Sequence, residues 1–421
     1  MSRIVLVEDD FCSRFSPLTL LRPVFELRCG HFTVGERLKC LAPAAELSVL
    51  IRKHLQPVYA QEHPGVAVND PTFGAADDTL YINGRWLCDA KSFSAVSKLV
   101  PASAAILDGQ WVAVCAPKGT SLVTANDVAE YAKQARPLVA TGKLLQFPWE
   151  LIEQNASQIR ADFELRPRDI ASQINLDDRV AVLGDSDKVF VHPAASIDPF
   201  VVIDARHGPV WIDEGAKIQA FTRLEGPCFI GHESQLFRAN VREGCSIGPV
   251  CRVGGEIEES IIHGYANKYH DGFLGHAYIC PWVNLGANTI NSDLKNDYSS
   301  VKLMVNGEML DTGSTKVGCF IGDHSKTALS SLFNTGSSVG IMSLILPGGE
   351  LLPKVIPSFT RIWHGQLELN PTALEAGIAS ARTAMGRRKQ ELTPEAEELL
   401  RIVYQQTEPE RAKALERWHS R

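Results

Sequence analysis

The stretch WIDEGAKIQAFTRLEGPCFIGHESQLF, Trp211 to Phe237, places an aliphatic residue at every sixth position: Ile212, Ile218, Leu224, Ile230 and Leu236. The same spacing links Val191, Ile197 and Ile203 before it, and Val241, Ile247 and Val253 after it. It returns in Ile279 and Leu285, and after an insertion in Ile321, Phe333, Val339, Ile345 and Leu351. Gly or Asp follows many of these residues, as in Ile212-Asp213, Ile230-Gly231, Ile247-Gly248 and Ile321-Gly322. A period of six suits neither a helix nor an indefinitely alternating strand. It suits a short strand plus a corner, with the aliphatic side chain inside a triangular coil and a small or acidic residue turning the chain. Three hexads close a coil, and stacked coils share a core that one coil alone cannot form. The competing architecture is a β-sandwich with aliphatic residues falling in register.

Around this repeat the chain divides in three. Residues 1–185 lack the hexad and alternate strand patterns (Ile4 to Val7, Leu80 to Asn83, Trp111 to Cys115) with helical ones (Ala125 to Ala135, Trp149 to Ile159), which predicts an α/β layered domain. Residues 186–365 carry the repeat, and residues 366–421 read as a helical tail. In the tail, Asn370-Pro371 and Thr393-Pro394 each set a capping residue before a first-turn proline. Leu374, Ile378, Ala381 and Met385, then Leu399, Leu400, Val403 and Tyr404, fall at helical spacing.

The 421 residues are 45% hydrophobic and 22% charged, the composition of a globular protein large enough for two or three domains. A net charge of -7 argues against nucleic acid as a partner, since phosphate backbones need a basic surface. The opening MSRIVLVEDD has too short an apolar run for a signal peptide or membrane span. Ten cysteines without a CxxC pair suggest neither zinc ribbon nor disulfide framework, and a reducing cytoplasm is the expected compartment.

Between Val253 and Ile279 the hexad lapses, and there the chain reads GYANKYHDGFLGHAYICPWVNLGANT, Gly264 to Thr289. The strings Ala266-Asn267-Lys268-Tyr269-His270, Phe273-Leu274-Gly275 and Val283-Asn284-Leu285-Gly286-Ala287 with Thr289-Ile290 resemble the hexapeptide-repeat acyltransferases. The resemblance is to the acetyltransferase half of the bifunctional UDP-N-acetylglucosamine diphosphorylase/glucosamine-1-phosphate N-acetyltransferase family. It implies a left-handed parallel β-helix that acetylates an amino sugar 1-phosphate with acetyl-CoA, and a homotrimer whose active sites are completed between parallel subunits. It places His270 on the family's catalytic histidine. An amine that attacks a thioester must lose a proton, and histidine is the side chain whose ordinary pKa suits that task near neutrality. Asn267, Lys268, Asn284 and Asn288 are the candidates to orient the sugar phosphate or the thioester oxygen, with Lys268 a point charge for the phosphate. In the related enzymes the pantetheine arm lies between coils. Ala287, Ser325, Lys326 and Thr327 are the corresponding candidates here, with Lys326 facing a CoA phosphate. His263, His270 and His276 lie close enough in sequence to suggest a zinc lyase on the same fold as a competing reading.

The run Arg14-Phe15-Ser16-Pro17-Leu18-Thr19-Leu20-Leu21-Arg22-Pro23, with Arg28-Cys29-Gly30 and Tyr81-Ile82-Asn83-Gly84-Arg85, resembles a divergent branch of the sugar nucleotidyltransferases. The resemblance implies Mg²⁺-dependent nucleotidyl transfer from an NTP to a sugar 1-phosphate. Arg14, Arg22, Arg28 and Arg85 are candidate phosphate clamps, because guanidinium meets phosphate in a bidentate manner. The family's Gly-rich loop is replaced by Glu8-Asp9-Asp10-Phe11-Cys12-Ser13, and Val24 stands at the usual lysine position. Two aspartates facing a triphosphate repel it unless a cation lies between, so Asp9 and Asp10 are candidate Mg²⁺ ligands. Two alternatives stand beside bifunctionality: a nucleotidyltransferase whose β-helix serves only for assembly, and an acyltransferase whose N-terminal domain is a degenerate sensor.

Overall fold

In the computed structural model, which describes residues 2–166, 172, 176–369 and 372–419, the hexad becomes three stacked columns of inward side chains. One column runs Val191, Ile212, Ile230, Ile247, Ile262, Ile279, Ile321, Val339 and Ile356, each paired in parallel with the next. A second runs Ile203, Leu224, Val241, Ile257 and Leu274. The third runs Ile197, Ile218, Leu236, Val253 and then Lys268. Almost every aliphatic member is fully buried and the columns are parallel, so the architecture is a parallel β-helix, as the hexad predicts, and not a sandwich.

The lapse in the hexad has two structural causes. Corners shorten, so that the inward residues after Val253 are Ile257 and Ile262, and a lysine then takes the next inward place at position 268. A second departure comes near the end. Ile345 keeps the phase, but Leu351 is 60% exposed and Leu352 is the buried residue, because the loop before it shifts the register by one. The insertion between Leu285 and Ile321 carries an antiparallel hairpin, Lys302–Val305 with Glu308–Asp311, and a bridge between Leu294 and Lys316 closes its neck.

The hairpin Thr360–Trp363 and Gln366–Leu369 ends the β-helix. Helices Ala373–Gly386, Pro394–Gln406 and Glu408–His419 follow. Thr393 caps its helix through the Ala396 amide with Pro394 in the first turn, as its sequence predicts. The expected cap at Asn370-Pro371 lies outside the described residues. Ile378, Ala381, Leu399, Leu400 and Val403 turn inward, and Gly377 packs directly on Met342 of a β-helix corner.

The chain forms two compact units. The first comprises Met1–Phe15, Leu21–Leu27 and Phe32–Glu150; the second takes Leu151–Arg421 together with Ser16–Leu20 and Arg28–His31. The second unit thus takes in the helix Trp149–Leu165 from Leu151 onward, ahead of the hexad region. The first unit is built on a seven-stranded sheet in the order Arg136–Val139, Ser103–Leu107, Gln110–Ala116, Thr79–Asn83, Arg3–Val7, Glu46–Leu50, Ala67–Val68. All neighbours are parallel except Gln110–Ala116, which is antiparallel to both. Val5, Val7, Tyr81, Val114 and Val128 lie in its core, and capping boxes at Thr33 and Thr124 start two of its helices. No helix among the described residues is long and apolar enough to cross a membrane.

Candidate functional site

Every coil must pass from the column of Val253 to that of Ile257, and at His270 it does so with excess chain. Three residues separate Val253 from Ile257, whereas five separate their partners Lys268 and Leu274. The two extra residues push the corner outward and leave His270 exposed. The coil beneath makes room for this. Gly255 sits at φ +74°, and a Cβ there would meet the carbonyl oxygens of Gly272 at 2.8 Å and His270 at 3.0 Å, so only glycine fits.

His270 opens onto a cavity of about 490 Å³ that it shares with Asn267, Asn284, Gln235, Arg252 and Tyr269. The Asn267 side-chain amide donates to Asn284 Oδ1 (3.1 Å) and accepts from Arg388 Nη2 (3.0 Å). Arg387 and Arg388, at the end of helix Ala373–Gly386, form another wall. They also line an adjoining cavity of about 370 Å³ with Tyr265, Trp282 and Lys326. Tyr265 stacks on Trp282 at 4.6 Å, both at corners of positive φ. A smaller recess of about 170 Å³ beside His270 includes Ala287 and Asn288.

The candidates named from sequence are thus partly gathered. His270, Asn267, Asn284, Ala287 and Asn288 surround one region, and Lys326 lines the adjoining cavity, its Nζ donating to His324 O at 3.0 Å. Burial holds the Lys326 ammonium below its ordinary pKa. Lys268 does not reach the cavity. It points inward, and its Nζ donates to Gly254 O (3.1 Å) and His270 O (2.5 Å). Desolvation lowers its pKa to about 8, with Asp271 opposing the shift. Ser325 and Thr327 are also turned inward. Ser325 Oγ donates to Gly340 O, and Thr327 Oγ1 accepts from the Gly286 amide, so the coil's own backbone uses them.

Gln235, Arg252, Tyr269, Arg387 and Arg388 were not legible in advance. Arg252 occupies an ordinary outward position beside Val253. Arg387-Arg388-Lys389 reads as a basic helix end, which needs no ligand. The three histidines do not converge. His276 is held by Asp293 (Nδ1, 2.8 Å) and Glu259 (Nε2, 3.1 Å), and no group of three or more His, Cys, Asp or Glu is placed to hold a metal ion among the described residues. Burial disfavours the charged imidazole of His276, but its bonds to Asp293 and Glu259 outweigh that and raise its pKa to about 9.

In the N-terminal unit the place of a Gly-rich loop is taken by a 3-10 helix, Asp10–Phe15. Both oxygens of Asp9 are taken up: Arg85 donates from Nε (2.8 Å) and Nη2 (2.7 Å), and Asn83 Nδ2 adds a third bond at 2.9 Å. Asp10 is exposed. Arg85 thus neutralises Asp9 in the folded chain, and no group of three or more His, Cys, Asp or Glu placed to hold a metal ion occurs here among the described residues. Arg85 is itself fully buried and not presented as a clamp. Arg14 is half-buried over Phe11 and Phe147, and the Arg22 carbonyl accepts from Arg52, which also pairs with Glu8. Arg28 belongs to the β-helix unit, where its guanidinium donates to the carbonyls of His31 and His263 and its amide to Tyr278 Oη.

Residues 4–169 match a family model described as sugar nucleotidyl transferase. A bifunctional sugar-1-phosphate nucleotidylyltransferase/acetyltransferase of Sulfurisphaera tokodaii is 33% identical over 93 residues, 22% of this chain and 23% of that protein. The bifunctional protein GlmU of Syntrophomonas wolfei is 32% identical over 151 residues, 31% of this chain and 32% of its own. That of Nitratidesulfovibrio vulgaris is 28% identical over 150 residues, 32% and 28% of the two chains. The chain thus spans a quarter to a third of the length of these curated relatives. Among solved structures, a putative acetyltransferase of Bacillus cereus aligns with 53% of this chain and 97% of its own at 16% identity and a TM-score of 0.22. With a sugar nucleotidyl transferase match in its first part and bifunctional relatives matching over shorter stretches, the chain is similar to the bifunctional sugar-1-phosphate nucleotidylyltransferase/acetyltransferases.

Proposed function

We propose that the β-helix unit transfers an acetyl group from acetyl-CoA to the amine of an amino sugar 1-phosphate, with His270 as general base. The observation that carries this reading is the swollen corner that exposes His270 in a cavity edged by Asn267, Asn284 and Arg252. The amine nitrogen attacks the thioester carbon and His270 accepts the proton that the nitrogen sheds. As the tetrahedral intermediate collapses, the C–S bond breaks and the proton goes to the departing thiolate, giving amide and CoA. The side-chain amides of Asn267 and Asn284 supply donors for the sugar or for the oxygen that becomes negative in the intermediate.

For the N-terminal unit we infer nucleotidyl transfer from an NTP to a sugar 1-phosphate, supported by the family match over residues 4–169. Asp9 is committed to Arg85, so no metal-mediated step is derived through it. The same observation favours a second reading, in which this unit binds its nucleotide in another manner and acts as a sensor. A homotrimer, implied by the resemblance of the repeat region, and a cytoplasmic location, expected from the cysteine usage, complete the proposal.

One assay tests both halves. The protein is incubated with acetyl-CoA, glucosamine 1-phosphate, Mg²⁺ and each NTP in turn, and CoA and pyrophosphate are followed separately. Release of both supports bifunctionality. CoA without pyrophosphate supports the sensor reading, and pyrophosphate without CoA leaves the β-helix an assembly device.

A further inference from the structure

We propose that Arg252, Arg387 and Arg388 form a phosphate-binding subsite of the His270 cavity, so that the helical tail is a working part of the site. The proposal rests on the acetyl-transfer reading for its substrates, though not for the subsite itself. All three arginines line the same cavity. Among the described residues, none pairs with a carboxylate within ion-pair distance. Among the described residues, Arg252 donates to the backbone carbonyls of Glu233, Val250 and Cys251 alone, and Arg388 to Asn267 alone, its Nε being buried with no partner there.

Elsewhere on the same unit arginines are matched with acids: Arg223 with Asp204 and Glu225, Arg361 with Glu368, and in the tail itself Arg382 with Glu397 and Arg401 with Glu375. Gathering three guanidiniums without a counter-ion is electrostatically costly. Arg252 registers that cost: burial first, and then the charge of Arg388, hold it below the usual guanidinium range. A bound anion removes the penalty, and the fork geometry of guanidinium suits phosphate oxygens. A cavity of about 490 Å³ in a chain of net charge -7 favours a small anion over a polyanion. Two phosphates of the proposed reaction fit this chemistry: the 1-phosphate of the acceptor and the 3′-phosphate of the CoA nucleotide. The adjoining cavity, which shares both tail arginines and is edged by Tyr265 and Trp282, gives the rest of either molecule a place to extend.

The test is steady-state acetyl transfer by the full chain and its R252M, R387M and R388M variants. Glucosamine 1-phosphate is compared with glucosamine, and acetyl-CoA with its 3′-dephospho form. Calorimetric titration with inorganic phosphate is run in parallel. The expected result is a KM raised about tenfold or more for one phosphate-bearing partner, with kcat little changed and no rise for its phosphate-free counterpart. The partner that responds identifies the source of the phosphate. Equal effects with and without the phosphate overturn the subsite, as does unaltered phosphate binding in all three variants. Arg387 is exposed, so R387M keeps the test open if R388M fails to fold. A wild type that binds phosphate through Arg388 yet releases no CoA with any acceptor sinks the acetyl-transfer reading and leaves the subsite standing.

Discussion

Lys268 Nζ lies 2.5 Å from the carbonyl oxygen of His270, with a second bond to Gly254 O in the coil beneath. A lysine thus stands where the repeat calls for an aliphatic residue, and its ammonium ties the His270 corner to the neighbouring coil. The same interaction that displays His270 outward requires a charge inside the β-helix.

That charge makes stability depend on pH. The folded-state pKa of Lys268, about 8, lies below its ordinary value of 10.5, so the unfolded chain binds more protons between the two. Folding therefore strengthens as pH rises through this window, by on the order of 3 kcal/mol at most. Relative to K268M, the wild type is expected to gain in Tm between pH 7.5 and 10. A difference in Tm that stays flat across that range refutes a buried ammonium at this position.

His270 is exposed, its ring edge-on to Tyr269 and without a hydrogen bond among the described residues. H270A is therefore expected to leave Tm within the range of a surface substitution, about 0.5 kcal/mol, while acetyl transfer falls by roughly 10²- to 10⁴-fold. Thermal unfolding and CoA release measured on the same preparation check both. Unchanged CoA release would remove His270 from the chemistry.

How far this site could be read from sequence follows from which residues break a pattern. Ile212 to Leu236 keep a strict period, and the period alone specifies the coil. The columns were legible for that reason, and the helical tail and the strands of the first sheet from their own helical and strand patterns. His270 stood out because the period lapses around it. Lys268 did not read correctly, since a lysine beside a proposed catalytic histidine suggests a ligand contact. Only the register with Val253 shows that its side chain points inward. Arg252 and Arg388 were invisible because a local sequence does not reveal that two residues so far apart share a cavity. Asp9 misled in the opposite sense: an unpaired acid on paper is paired in space with Arg85.

That pairing gives the third prediction. Arg85 is buried and Asp9 supplies its counter-charge. D9A leaves the guanidinium without it, with an expected loss of about 3–5 kcal/mol, and D9A/R85M together should recover part of that loss. Chemical denaturation of the single and double variants measures the coupling. If D9A were neutral to stability but abolished Mg²⁺-dependent pyrophosphate release, the metal-ligand role would be restored.

His276 makes the last prediction, with the opposite pH sense to Lys268. It is 7% exposed between Asp293 and Glu259. Its folded-state pKa is raised from 6.5 to about 9, so the protonated ring bonds both carboxylates at neutral pH, and those carboxyl groups are in turn held below their ordinary range. The stabilisation is complete below the unfolded value of 6.5 and is lost as pH rises through about 9. It amounts to roughly 3 kcal/mol when complete. In H276Q, glutamine keeps a donor for one carboxylate but carries no charge. The wild type should therefore exceed H276Q in Tm by the most at pH 6 and by progressively less up to pH 10. A constant gap over that range would mean that His276 is neutral in the folded protein and that one of its two carboxylates carries the proton instead.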